Sequence, residues 1–239
     1  DDYSVSIFQQ QAKSLINQLN DNHVVPILSG GTGLYVQSLL ENYNFNDIKP
    51  NTKLRIELDE LYTEYGVNGL REYAQNLAEK GGIEIKYTDK HRLYRAIELM
   101  TAGDYKSLIK QTKEGLSYKG PVIGLQRERS DLYNRINRRV EIMFEKGLVD
   151  EVKQLLKSGV NPNCQAFKGI GYKEVVQYLE GLISYDACVD LIQKNTRHFA
   201  KRQITWYKRM PYIEWITIDS QTTEAEIYGM ACNIIDSSF

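Results

Sequence analysis

Apolar residues along this chain fall mostly at helical spacing, broken by a few runs of strand length. Ser4 can cap a helix that carries Phe8, Ala12, Leu15 and Leu19 on one face. After Asn20-Asp21-Asn22 comes Val24–Leu28, which reads as a buried strand. Gly30-Gly31-Thr32-Gly33 follows, and a second helical run reaches Leu40. Helix, apolar strand, glycine turn and helix is the rhythm of an α/β domain built on a parallel sheet. Pro121–Leu125 and Ile213–Ile218 supply further strands suited to a sheet covered on both faces.

Between Lys49-Pro50 and Lys119-Gly120-Pro121 the pattern changes. Leu54–Tyr65, Gly69–Glu79 and Lys90–Met100 read as helices, with no strand among them. Residues 47–115 are therefore expected to form an all-helical insertion between 1–46 and 116–239, the two parts of an α/β core. In the second part Ser130–Gly147 is amphipathic, with Leu132, Ile136, Val140 and Met143 on its core stripe. Asp150–Leu156 and Tyr172–Leu179 are helical too, and a long helix runs from Ser184 toward Met210.

Composition excludes several classes. With 42% hydrophobic and 26% charged residues in 239, the chain is neither disordered, collagen-like nor of low complexity. No run approaches the roughly 18–20 apolar residues of a membrane helix, and no secretory signal is visible. Three cysteines (Cys164, Cys188, Cys232) and three histidines (His23, His91, His198) are scattered without ligand-pair spacing. Neither a disulfide framework nor a protein-held metal follows, and a reducing cytoplasm is the expected setting. The net charge is −1, but its distribution is uneven. Leu191–Tyr212 holds Lys194, Arg197, Lys201, Arg202, Lys208 and Arg209 with no Asp or Glu, which suggests a surface facing a polyanion. A solvated helix face fits the same residues.

Five segments could carry chemistry. Gly30-Gly31-Thr32-Gly33 opens a helix after an apolar run, so its backbone N–H groups could approach an anion and Thr32 could present its hydroxyl. A tight turn with Thr32 as N-cap fits equally. Arg135 and Arg139 stand at i, i+4 beside Arg138, a spacing that can clamp a diphosphate or form a surface ridge pairing with acids such as Glu141. His91-Arg92-Leu93-Tyr94-Arg95 joins arginines to an aromatic ring, the means of gripping phosphate and stacking an unpaired base; Tyr94 fits a core position as well. Lys168-Gly169-Ile170-Gly171-Tyr172-Lys173 is a second basic turn with an aromatic. On the long helix, Lys201-Arg202-Gln203-Ile204-Thr205-Trp206 offers cations to phosphates while Trp206 suits the core.

In this order the segments resemble the tRNA dimethylallyltransferases (tRNA isopentenyltransferases). The match rests on Pro26–Tyr35, on His91–Glu98, on Arg135-Ile136-x-x-Arg139-Val140-x-x-Met143, and on Gly169–Lys173 together with Ala200–Trp206. The resemblance spans nearly the whole chain. It implies a P-loop-NTPase-like parallel sheet core with a helical insertion. It also implies transfer of a dimethylallyl group from dimethylallyl diphosphate to the exocyclic amine of adenosine 37, beside the tRNA anticodon. Family members carry a Gly-rich P-loop and an Asp-Ser segment with the general base near their start; Asp1-Asp2-Tyr3-Ser4 matches a point past both, so such a portion is expected upstream.

The resemblance assigns catalysis to Thr32 and Arg139, and diphosphate binding to Arg135, Arg139, Gly30 and Gly31. It assigns tRNA contacts to Lys53, His91–Arg95 (with Arg92, Leu93 and Tyr94), Lys168–Lys173 (with Gly169, Ile170, Gly171 and Tyr172), Lys201, Arg202, Gln203, Thr205 and Trp206. Mg²⁺ is expected to arrive with the diphosphate, and the protein to act as a monomer without a membrane. A P-loop small-molecule kinase and a non-catalytic RNA-binding module are the alternatives.

Overall fold

The computed structural model describes residues 3–45, 48–108 and 116–238. They form an α/β protein, mostly helical, with a small parallel sheet. The chain divides into two compact units, Asp1–Leu28 with Leu34–Ser117, and Ser29–Gly33 with Tyr118–Phe239. The expected limits of the helical segment, Asp47 and Gly115, lie outside the described residues.

The first unit opens with α1, Val5–Asp21, where the Ser4 hydroxyl accepts the Ile7 N–H at 3.3 Å as its sequence position predicts. Its expected apolar face is only partly used. Leu15 stays 55% exposed, while the buried residue of α1 is Gln9, whose side-chain amide donates to the Ser38 and Tyr43 carbonyls at 2.6 and 2.8 Å. Those bonds tie α1 to α2, Gly33–Leu40, and to the turn after it. These polar bonds and the stacking of Phe8 on Tyr35 at 4.9 Å together hold α1.

Val24–Leu28 is not a buried strand. It pairs with neither strand of the sheet, and Val25 and Ile27 are 79% and 90% exposed. Apolar composition marks a segment able to lie in a sheet, but strand structure requires a hydrogen-bonded neighbour.

The helical part comprises α3, Thr52–Lys80, and α4, Lys90–Thr101. The two helices expected on either side of Gly66 are continuous apart from a break at that residue, which takes φ +63°. Leu58, Leu70, Ala74 and Ala78 of α3 close on Leu93, Ile97 and Met100 of α4 in one dry cluster. Within it lies Glu98, 3% exposed. Its carboxylate takes Arg55 Nε at 2.7 Å, Arg95 Nη1 at 3.2 Å and the Asn51 backbone N–H at 3.0 Å. Arg95 also donates to the Ile48 carbonyl at 2.8 Å. One carboxylate thus locks the start of α3 onto α4.

In the second unit β1, Val122–Arg127, pairs in parallel with β2, Ile213–Ile218, with Val122 opposite Ile213. Both strands fall on the apolar runs read from the sequence, but the expected cover on both faces is not seen: β1 holds no buried residue and Leu125 is 56% exposed. Glu128 ends β1 and caps α5, Arg129–Glu145, by accepting the Ser130 N–H at 2.7 Å. The remaining helices are α6 (Leu148–Lys157), α7 (Tyr172–Leu179), α8 (Tyr185–Tyr207) and α9 (Glu224–Ser238). Val140, Phe144, Val152, Val175, Cys188 and Ile192 form the core shared by α5 to α8. Among the described residues no helix is long and apolar enough to cross a membrane.

Burial pushes the Glu98 carboxyl up, but the Arg55 hydrogen bond, the Asn51 N–H and the neighbouring arginine charges outweigh it and hold the group below its ordinary 4.5. The stabilisation is therefore complete above that value and drains as pH falls through the lower, folded-state one. Glu98→Gln should cost about 1–3 kcal/mol near neutrality, measured by urea unfolding. The difference from wild type should shrink between about pH 6 and pH 3; a difference constant across that range contradicts the role given to the carboxylate.

Candidate functional site

The glycine turn sits in the second unit, where α8 holds it from behind. The Gln203 side-chain amide donates to the Gly31 carbonyl at 2.7 Å. A Cβ placed on Gly31 would lie 2.7 Å from that same Gln203 nitrogen, and one on Gly33 would lie 2.4 Å from the Trp206 ring. Two glycines therefore admit two side chains of α8, and Gly30 faces open space. Thr32 is exposed at the apex. The Trp206 indole nitrogen and the Tyr207 hydroxyl are buried with no hydrogen-bond partner among the described residues.

These contacts change two assignments. Gln203 and Trp206 serve the turn: Gln203 spends its amide on a backbone carbonyl, and Trp206 packs its ring on Gly33. Neither is displayed for an RNA contact. On the same helix Lys194, His198, Lys201, Arg202 and Thr205 are exposed, as are Lys208 and Arg209 just past its end, so the basic residues form a solvated face. Arg197 is withdrawn from it, donating to Asn137 Oδ1 of α5 at 2.5 Å. Arg202 lies 5.8 Å from the ring of Phe199, which is itself 43% exposed.

On α5, Arg135 and Arg139 are exposed and make no ion pair among the described residues, whereas Arg138 takes Glu141 at 3.1 Å. The ridge reading thus applies to Arg138, and the other two guanidinium groups are left available to an anion. The Lys168–Lys173 turn is built around Gly171, whose φ of +105° an L side chain rarely adopts. Lys168, Gly169, Ile170 and Lys173 are exposed. Tyr172 is half-buried, tilted against Phe167 at 5.6 Å, and its phenol donates to Glu151, which pushes the phenol above its usual range.

In the first unit Lys53, His91 and Arg92 are exposed. Leu93 and Tyr94 are not: they are 0% and 6% exposed, inside the α3–α4 cluster. Helical periodicity turns these two positions inward, and the Tyr94 hydroxyl is spent on Asp59 at 2.9 Å. A stacking platform needs a free ring face, so the core reading of Tyr94 is correct and the tRNA assignment of both residues falls. Arg95 is likewise engaged with Glu98 and the Ile48 carbonyl.

Sequence reasoning passed over Asp59. It accepts Lys90 Nζ at 2.8 Å and Tyr94, and the Lys90 hydrogen bond above all holds its carboxyl below the ordinary range. It also passed over Glu98 and Glu174. A Glu three residues after a glycine that starts a helix is a capping pattern visible in the sequence, and it marks Glu174.

Comparison with known proteins shows the family of the chain. The sequence model of the IPP transferase family matches residues 1–210. A tRNA dimethylallyltransferase of Clostridioides difficile is 38% identical over 221 residues, 91% of this chain and 70% of the relative. One from Carboxydothermus hydrogenoformans is 38% identical over 227 residues, 93% and 72% of the two chains. The crystal structure of a full-length tRNA isopentenylpyrophosphate transferase from Bacillus halodurans superimposes with a TM-score of 0.65 at 33% identity, covering 100% of this chain and 76% of that one. A tRNA delta(2)-isopentenylpyrophosphate transferase from Staphylococcus epidermidis gives 0.66 at 32%, covering 99% and 77%.

The packing of the turn makes one expectation sharp. Gly33→Ala must displace the Trp206 ring and should cost about 1–3 kcal/mol. Gly30→Ala meets nothing and should stay within about 0.5 kcal/mol of wild type. Chemical denaturation of both variants checks this; equal costs would mean that α8 does not support the turn through Trp206.

Proposed function

This chain belongs to the IPP transferase family, and from that premise we propose that it moves the dimethylallyl group of dimethylallyl diphosphate onto the exocyclic amine of adenosine 37 in the tRNA anticodon loop. Transfer of a dimethylallyl group to tRNA is a prenyltransferase activity, and this chain is such an enzyme. The observation that carries the reading is the family match over residues 1–210. Arg135 and Arg139 on α5, exposed and without an ion pair among the described residues, and the basic face of α8 support it.

In this reaction a nitrogen–carbon bond forms to the allylic carbon as its carbon–oxygen bond breaks. The electron pair leaves with the diphosphate, and the amine gives up one proton to water. Charge therefore develops on the departing diphosphate, where preorganised cations act most strongly. We assign that role to Arg139 as a catalytic residue and Arg135 as its neighbour, one helical turn apart. The backbone of Gly30 and Gly31 lines the same anion, and Mg²⁺ enters as part of the diphosphate substrate. The Thr32 hydroxyl hydrogen-bonds at the reacting adenine. Swinging that base out of its stack costs roughly a few kcal/mol, supplied by phosphate contacts from Lys53, His91 and Arg92 in the first unit and from Lys168, Lys173, Lys201 and Arg202 in the second. Ile170 and Thr205 flank those cations.

The test is direct. Full-length protein, dimethylallyl diphosphate, Mg²⁺ and unmodified tRNA should yield N6-(dimethylallyl)adenosine on digestion and mass analysis of the nucleosides. A phosphorylated product formed with ATP, and no prenylated adenosine, would move the protein to the kinase reading. Arg139→Ala should slow transfer by about 10²–10³ with tRNA affinity unchanged. Arg139→Lys should recover part of the loss, because the charge returns without the bidentate fork. Full activity in the Ala variant would make Arg139 an ordinary surface residue.

A further inference from the structure

Glu174 is 3% exposed in the third position of α7. One carboxylate oxygen, Oε2, accepts the Gly171 N–H at 2.8 Å, and the other, Oε1, accepts the Asn195 side-chain amide at 2.8 Å. Glu174 makes no ion pair among the described residues, so neutral donors alone hold its charge. The nearby Cys188 thiol is pushed up to about 11, first by burial and then by the Glu174 charge.

Such an arrangement is expensive. Burying a carboxylate without a cation costs several kcal/mol, and the helix N-terminus and two charge-assisted bonds return only part of it. Capping α7 would require the Gly171 bond alone. The Asn195 bond does something else: it joins the Lys168–Lys173 turn to α8, six residues before Lys201. Gly171 sits at φ +105° with nothing closer to a Cβ than Met143 at 3.8 Å, so its conformation, not lack of space, is what the Glu174 bond secures.

We propose that Glu174 is a positioning residue for tRNA. By holding the turn and α8 with one carboxylate, it presents Lys168 and Lys173 with Lys201 and Arg202 as a single rigid set. This rests on reading those four cations as phosphate contacts. A rigid set loses no further freedom when the polyanion binds, so its affinity exceeds that of the same charges on independent segments.

Equilibrium tRNA binding by the full chain, with thermal melting alongside, tests the proposal. Glu174→Ala should weaken tRNA binding about tenfold and leave the KM for dimethylallyl diphosphate within about twofold. Glu174→Gln should come close to wild type, since its oxygen can keep the Gly171 N–H and its amide can face a turned Asn195 carbonyl. Asn195→Ala leaves the cap intact, which protects the test if Glu174→Ala fails to fold, and it should weaken tRNA binding in the same way. A lowered melting temperature with unchanged tRNA affinity in Asn195→Ala reduces Glu174 to a structural cap and overturns the proposal. The double variant Lys168→Ala/Lys173→Ala is the control for the underlying reading. If it leaves tRNA affinity unchanged, the phosphate contacts themselves are wrong and the proposal falls with them. If it weakens binding while Glu174→Ala does not, the positioning role alone is wrong.

Discussion

A carboxylate removed from water loses hydration worth several kcal/mol, and the fold must replace it with donors or leave a charge stranded. Among the described residues three glutamates are buried, Glu41, Glu98 and Glu174, and the last two lie beside the basic segments. Glu98 draws on two arginines and the start of α3, and Glu174 draws on a glycine turn and α8. Each gathers backbone or side chains from elements distant in sequence, so the position of those elements depends on it. Lys53 lies two residues past Asn51, whose N–H Glu98 takes, and Lys173 lies next to Glu174 itself. The exposed cations are thus carried on elements whose buried side is fixed by a negative charge.

That division sorts the arginines and lysines into two populations with different work. Arg55, Arg95 and Arg197 have partners at hydrogen-bond distance inside the protein. Arg92, Arg135, Arg139, Lys201 and Arg202 face solvent without ion pairs among the described residues. A prenyl transfer to tRNA needs the second kind twice over, at the leaving diphosphate and along the phosphate backbone. It needs the first kind to keep the second in register. The packing of Gln203 and Trp206 against Gly31 and Gly33 is the same solution in uncharged form.

Much of the architecture was legible in the sequence because it is locally encoded. Ser4 and Ser184 cap their helices, Val122–Arg127 and Ile213–Ile218 are the strands, and the helical stretch between them has the expected periodicity. Val24–Leu28 was misread because apolar composition reports burial potential and not a pairing partner. The candidate site was legible as a set of segments but not residue by residue. Whether Arg95 or Arg92 faces solvent depends on Glu98 and Ile48, and whether Gln203 meets RNA depends on a carbonyl 172 residues away. Tyr94 followed the helix period inward, a choice the sequence left open.

The claim that unpaired cations hold tRNA while paired ones hold the fold is tested most directly by the salt dependence of tRNA affinity. Each phosphate contact releases counterions, so Arg92→Ala and Lys201→Ala should each lower the slope of log affinity against log salt by about 1. Arg95→Ala and Arg197→Ala should lower the melting temperature and leave the slope at its wild-type value. A slope unchanged in Lys201→Ala, or reduced in Arg95→Ala as much as in Arg92→Ala, would contradict the account.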